Sequence, residues 1–165
     1  MLTEICGYLK NWFNRKPDGT DYPIFYGAFE IKNGVISYAG GAALPLKEGQ
    51  YYRILGGVFN NGGVYPFYST PPSEGEDTPL GVRPRDEEFE GEVWSMAVPP
   101  DVVALADEIA AWNEKNGKAD SEAMSPYSSE SFGGYSYSKG SSATGGSGVS
   151  WSDVFGSRLS RYKKL

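Results

Sequence analysis

One stretch of the sequence, Val93–Gly117, most constrains the fold, because it predicts a strand that runs directly into a helix. The apolar run Val93–Val98 is typical of a strand. After Pro99 and Pro100, apolar residues recur at the three- and four-residue spacing of a helix with one buried face. These residues are Val102, Leu105, Ala106, Ile109 and Trp112. Asp101 favours the helix start, because a carboxylate stabilises the positive end of the helix dipole. Such a unit needs a partner sheet.

Charge and cysteine content argue against several classes of protein. The chain of 165 residues has 21 acidic and 15 basic residues, which gives a net charge of -6. This acidic balance argues against general, non-specific binding of nucleic acid. With no histidine and only Cys6, it offers no internal disulfide, no usual zinc site and no recognisable nucleophile–base pair. We therefore expect a protein that is not an enzyme and needs no cofactor or metal. Cys6 is expected to be a small buried apolar residue.

The sequence has no membrane or export signal that we can identify. No apolar run approaches the roughly 18 residues that indicate a membrane span. Residues 1–13 lack the charged start and cleavage site of a signal peptide. We expect no membrane association and synthesis in the cytoplasm.

The first 70 residues predict a short helix followed by antiparallel strands. Helical spacing predicts a helix over residues 2–14, with Thr3 as its N-cap and a turn at Pro17–Gly19 behind it. Asn33–Gly34 and residues 60–63 have the chemistry of hairpin turns. The predicted strands are Tyr22–Ile31, Val35–Tyr38, Leu44–Leu46, Gln50–Val58, Val64–Tyr68 and Val93–Val98. The glycines of this region lie between strands, whereas a phosphate-binding loop lies between a strand and a helix.

The segment Thr70–Glu92 is rich in proline and acidic residues and is predicted to be a solvated loop. Clustered carboxylates can also form a metal site or an acid–base pair. That chemistry needs them fixed on rigid elements, and here only Glu90 and Glu92 fit a strand.

The last third of the chain predicts an arm followed by a docking helix. Ser and Gly supply 16 of the 26 residues of Ser125–Ser150, too little apolar area to offset the entropy of ordering. Ser150 and Asp153 resemble a capping box, and the helix behind them is amphipathic with a basic end. A helix this short is marginal alone, so we expect it to dock on its own body or on another subunit.

These patterns predict an α+β fold, since strand and helix segments are segregated along the chain. The expected body, residues 1–117, is a small antiparallel β-sheet or partial barrel packed with an N-terminal helix and a central helix, 100–116. An extended arm, 118–150, and a short C-terminal helix, 151–165, follow it.

The last 70 residues resemble a known family. The helix AVPPDVVALADEIAAWNEKNG is followed by SPYSSESFGGYSYSK and then by SWSDVFGSRLSRYKKL. They look like the head-tail connector (adaptor, head completion) proteins of tailed bacteriophages and prophages. The strongest match is Ser129–Ser136, which is similar to the signature SES-hydrophobe-G-D/G-Y-S of that family. The resemblance departs at Tyr22–Glu92, where many connectors are mostly helical and this chain predicts strands.

The resemblance implies a virion structural protein at the head-tail interface. Connectors form a homo-oligomeric ring, dodecameric by this resemblance, beneath the portal protein, and they extend arms onto the portal and neighbouring subunits. A stopper or tail-completion protein would be a further partner. DNA would pass through the channel without sequence-specific binding, which fits the acidic balance of the chain.

We expect the arm and terminal helix to form the assembly interface, because this segment buries itself poorly and holds aromatic residues of the kind that dominate interfaces. Its basic end would pair with acidic residues of Glu74–Glu92 or of the portal. The expected partner-binding residues are Tyr127, Phe132, Tyr135, Tyr137, Trp151, Phe155, Arg158, Arg161, Lys163 and Lys164. The alternative is a small carbohydrate- or protein-binding β module, in which exposed aromatic residues form a sugar platform.

Overall fold

The computed structural model describes residues 1–16, 19–71, 83–116, 129–132, 135–138 and 149–164. Within these ranges the predicted α+β fold is confirmed. The elements are α1 (Leu2–Leu9), β1 (Ile24–Lys32), β2 (Val35–Tyr38), β3 (Tyr51–Leu55), β4 (Val64–Pro66), β5 (Glu87–Ser95), α2 (Pro100–Asn116), β6 (Ser129–Phe132), β7 (Tyr135–Ser138), α3 (Trp151–Leu159) and a 3-10 turn (Ser160–Tyr162).

β1 to β5 form one antiparallel sheet in the order β2-β1-β5-β3-β4. β5 is its central strand, with Trp94 opposite Ile24 of β1 on one side and opposite Arg53 of β3 on the other. The strand predicted to feed the central helix is therefore also the strand around which the sheet is built. β6 and β7 pair with each other in a separate two-stranded sheet.

Several predicted elements differ from the structure, and the three largest differences are the following. The first helix ends at Leu9 rather than at residue 14, because Lys10 adopts a left-handed conformation with φ of 50°. β5 begins at Glu87, inside the segment predicted to be a solvated loop, and its outward carboxylates alternate with inward residues such as Phe89. Leu44–Leu46 is not a strand, although Leu44 is buried.

The predicted cap and turn of the first helix also differ from expectation. Met1 is the N-cap of α1, and the Thr3 hydroxyl instead accepts a hydrogen bond of 3.1 Å from the Val64 N–H of β4. Thr3 thus links the helix to the sheet. Two residues of the turn predicted at Pro17–Gly19 lie outside the described residues.

Alternation along the strands divides the apolar residues into two clusters. One cluster joins inward residues of the sheet to the loop behind β2: Phe29, Ile31, Ile36, Leu44, Tyr52, Ile54, Tyr65, Phe67, Phe89 and Val93. The other joins α1, α2 and α3 to Tyr51 and Val64 on the opposite face of β3 and β4, with Met96 in the link to α2. The helical layer therefore packs on that opposite face, over β3 and β4.

Cys6 is fully buried in the helical cluster, as predicted. Burial raises the pKa of its thiol to about 12, so the sulfur is a protonated apolar group at neutral pH.

The strands approach most closely where Gly91 of β5 meets Gly56 at the end of β3. A Cβ on Gly91 would overlap the carbonyl oxygen of Leu55, and one on Gly56 would lie 2.7 Å from the carbonyl oxygen of Glu90. Gly56 also has a φ of 101°, in the region that favours glycine. Glycine is therefore required at both positions, and it sets where β3 leaves the sheet.

Candidate interaction surfaces

The terminal helix α3 packs on its own chain. Phe155 and Leu159 are buried in the cluster formed with α1 and α2, and the Phe155 ring meets Trp112 of α2 edge-on at 6.4 Å between centroids. Trp151 meets Tyr8 of α1 edge-on at 5.3 Å. Of the two expected docking places, the body of the same chain is the one observed. The expected anchor Phe155 therefore lies in the core of this chain, because its ring fills space between helices.

The start of α3 is fixed by its predicted capping pair. The Ser150 N–H donates to Oδ2 of Asp153 at 2.9 Å, and the Ser150 hydroxyl donates to the same oxygen at 2.6 Å. These hydrogen bonds lower the pKa of Asp153. The helix thus has a defined first residue at the point where the chain returns from residues 117–148.

Two of the expected interface cations are paired within the chain. Arg158 donates to both carboxylate oxygens of Glu108 on α2, at 2.6 and 3.0 Å, and the hydrogen bond lowers the pKa of Glu108. Arg161 lies 3.1 Å from Oδ2 of Asp101, also on α2. Their observed acidic partners are therefore on α2 rather than in Glu74–Glu92, since the packed faces of α2 and α3 bring these charges together.

The chain end is held to the helical layer through its backbone. The Lys164 N–H donates to the Leu9 carbonyl at 3.0 Å, and the Asn11 side chain donates to the Tyr162 carbonyl at the same distance. The Lys163 ammonium lies 5.4 Å from the centre of the Tyr8 ring. The basic terminus therefore lies along α1, with Lys163 and Lys164 exposed.

The signature segment Ser129–Ser136 falls on the β6–β7 hairpin. Phe132 is paired with Tyr135 at its closed end, and Tyr137 is paired with Glu130. Three of the expected anchors therefore share one hairpin, which pairs with no other strand among the described residues. Tyr127 and most of the predicted arm lie outside the described residues.

The segment between α2 and α3 is attached to the helical layer at both of its ends. The chain leaves α2 at Asn116 and re-enters the helical cluster at Trp151, and the contact between Trp112 and Phe155 joins the two helices near these points. The described residues on either side of this segment, at the end of α2 and the start of α3, are therefore both held in the helical layer, whereas a free tail would have one fixed end.

A second surface is the open face of the sheet near α1. The Arg53 guanidinium lies 3.5 Å from the centre of the Trp12 ring and 5.5 Å from that of Trp94, and Trp94 donates its indole N–H to Glu92 at 2.6 Å. Within the described residues, Nε of Arg53 is buried without a hydrogen-bond partner. Tyr26 on the neighbouring strand is 66% exposed. This face therefore combines aromatic rings with polar groups.

A third surface, the hairpin loop between β3 and β4, was missed at the sequence level. One Glu87 oxygen accepts hydrogen bonds from the N–H groups of Val58 and Phe59 at 2.8 and 3.1 Å, and the other accepts from that of Asn60 at 3.1 Å. Partial burial raises the pKa of Glu87, but these hydrogen bonds outweigh it and leave the pKa below its ordinary value. The available signal was the alternation Glu87, Phe89, Gly91, Val93, which marks Glu87 as inward-facing.

No family model, curated protein or solved structure matches this chain. Among the described residues, no group of three or more acidic, cysteine or histidine side chains could hold a metal ion. In that same part of the chain, no helix has the length and apolar character needed to cross a bilayer.

Proposed function

We propose that this chain is a head-tail connector of a tailed bacteriophage or prophage, a structural protein that forms a ring under the portal and joins the head to the tail. The supporting observation is that the segment between α2 and α3, which includes the signature hairpin, is held at both ends by the packing of α3 on α2. The proposal places the protein in the virion, after synthesis in the host cytoplasm.

This attachment at both ends suits a docking element better than a free tail does. A segment held at both ends samples fewer arrangements before it binds, so ordering it on a partner costs less conformational entropy. Phe132, Tyr135 and Tyr137 belong to one hairpin, and aromatic residues dominate the energetics of protein interfaces. In this proposal the hairpin binds the portal or a neighbouring subunit, while α3 anchors the segment to the body.

Because α3 belongs to the core, deleting it cannot test whether the hairpin binds a partner. Removing residues 151–165 would take Phe155 and Leu159 out of the core, so loss of docking would follow from unfolding alone. The test therefore keeps α3 and changes only the hairpin.

The experiment compares a triple variant, Phe132→Ser, Tyr135→Ser and Tyr137→Ser, with Tyr26→Ser, which removes one exposed aromatic ring from the sheet. We expect both variants to unfold at the temperature of the unchanged protein. Only the hairpin variant should fail to bind portal-containing heads, with a loss of about 2 kcal/mol or more for each buried anchor. Normal head completion by the hairpin variant would overturn the proposal.

The open face of the sheet favours a second candidate, a carbohydrate- or protein-binding module. Tyr26, Trp94 and Glu92 lie on one face, where rings can stack on a sugar and the carboxylate can accept hydrogen bonds from its hydroxyl groups. Tryptophan fluorescence during titration with soluble cell-wall and storage glycans tests it. Saturable binding that Tyr26→Ser abolishes would support this candidate, and no change in fluorescence with any glycan would exclude the sugar-binding form.

A further inference from the structure

We infer that the β3–β4 loop of one copy of this chain inserts Val58 and Phe59 into a recess of a second copy, at the opposite end of the same hairpin. The contact is head-to-tail, and it identifies the surfaces that join neighbouring subunits. It rests on the proposed ring for its biological role, but it can be tested with the purified protein alone.

The inserting element, here called the knob, is Val58 with Phe59. Val58 is 82% exposed and Phe59 is 62% exposed, although both are apolar. The knob is fixed from below by Glu87, which accepts hydrogen bonds from three successive backbone N–H groups. A Cβ on Gly57 would lie 2.6 Å from Oε1 of the same carboxylate, so the loop and Glu87 fit closely.

Asn60 completes the support of the knob. It is 2% exposed, its Nδ2 donates to the Arg85 carbonyl at 2.8 Å, and its Oδ1 accepts from the Arg85 N–H at 2.9 Å. The Tyr65 hydroxyl donates to the same oxygen at 3.2 Å. A buried polar network therefore holds two apolar side chains out in water. Such a pre-ordered tip binds a partner with little further loss of conformational entropy.

The receiving element, here called the recess, lies between the start of α2 and the strand ends of β3 and β5. Its volume is about 680 Å³. Its apolar wall is formed by Tyr51, Met96, Val98, Val103 and Ala104. Lys47 and Asp107 lie at its polar side. Burial and, to a smaller extent, the negative charge of Asp107 raise the pKa of Tyr51 to about 12.

The knob and the recess cannot meet within one chain. Tyr51 begins β3 and lines the recess, whereas the knob follows Leu55 at the other end of that strand. The five residues of β3 separate them by about 15 Å of rigid strand. Two different surfaces at opposite ends of one element produce a heterologous contact, which forms a ring when the rotation between subunits closes and a filament when it does not.

Charge supports a second copy as the occupant. Arg85 is exposed beside the knob, where its backbone is hydrogen-bonded to Asn60, and two carboxylates, Glu48 and Asp107, line the recess with one ammonium, Lys47, so the guanidinium can pair with a carboxylate of the second copy. Such rim charges fix the register of a contact more than its affinity.

The test is disulfide crosslinking between two variants, Phe59→Cys in the knob and Ala104→Cys in the recess. The background is clean because Cys6 is the only native cysteine and is fully buried. We expect a covalent dimer when the two variants are mixed and oxidised, and none from either variant alone. Tyr26→Cys mixed with Ala104→Cys is the control and should give no dimer.

A dimer from Phe59→Cys alone would show a knob-to-knob contact and overturn the inference, and so would the absence of any dimer from the mixture. As an independent measurement, Phe59→Asp should weaken self-association in native mass measurements by about thirty-fold or more. Its unfolding temperature should not change, because the side chain is mostly exposed. If the knob does not bind the recess, the inference fails, but the proposed function is still tested separately by the portal-binding assay of the hairpin variant.

Discussion

At the scale of single residues, Glu87 shows how one carboxylate can organise a loop that lacks regular structure. Its oxygens bond to Val58, Phe59 and Asn60, all of them 27 to 29 residues earlier in the chain. Composition alone grouped Glu87 with the solvated acids around it. Only its strand position separates it from Glu88 and Glu90, which are exposed.

Glu87→Gln should lower the free energy of unfolding at neutral pH by about 1 kcal/mol, less than is usual for hydrogen bonds to a charged group, because solvent screens this partly exposed carboxylate. Since the folded pKa lies below the ordinary 4.5, this contribution is full above that value and is lost as the pH falls through the folded pKa. Urea unfolding at about pH 7 and about pH 3 measures it.

The matched control is Glu90→Gln, on the same strand but exposed. It should leave stability unchanged at both pH values. An equal loss for the two variants would contradict the role given to Glu87.

Cys6 gives a second prediction at this scale. Because its thiol is fully buried and burial raises its pKa to about 12, it should not react with a thiol reagent while the protein is folded. It should react at the rate of a free thiol once denaturant unfolds the chain. The exposed thiol of Ala104→Cys is the positive control, and rapid modification of native Cys6 would contradict the burial.

At the scale of elements, the helix α2 was predicted to its residue bounds, because proline, an acidic first turn and a glycine mark its ends. The hairpin at Asn33–Gly34 was predicted equally well from turn chemistry. The start of β5 was missed, because four glutamates in six residues are typical of a solvated loop. The alternation of these glutamates with the buried Phe89 is what indicates a strand. The packing of α3 was left open, since amphipathicity shows that a helix docks but not where.

Phe155→Ala should destabilise the chain by about 3 to 5 kcal/mol, because the ring fills space in the helical core. Arg158→Ala should change stability little, since Arg158 and Glu108 are both about half-exposed. Thermal unfolding of the two variants compares them. Similar losses would mean that the ion pair, rather than the buried ring, holds α3 in place.

At the scale of the whole molecule, the sheet is centred on β5, which has partners on both sides, whereas β2 and β4 have one each. Backbone amides of β5 should therefore exchange with deuterium most slowly, and those of β2 should exchange faster. Hydrogen-exchange mass spectrometry measures both. Equal protection of β2 would contradict the order of the strands.

The join between β5 and α2 is short, running from Met96 to Pro99. A pull on α2 along the direction of β5 would therefore reach the middle of the sheet directly. The inter-strand hydrogen bonds lie across that direction, so those to β1 and β3 would be loaded together rather than broken one after another. A load applied to α2 in this direction would thus be shared between the two strands that flank β5.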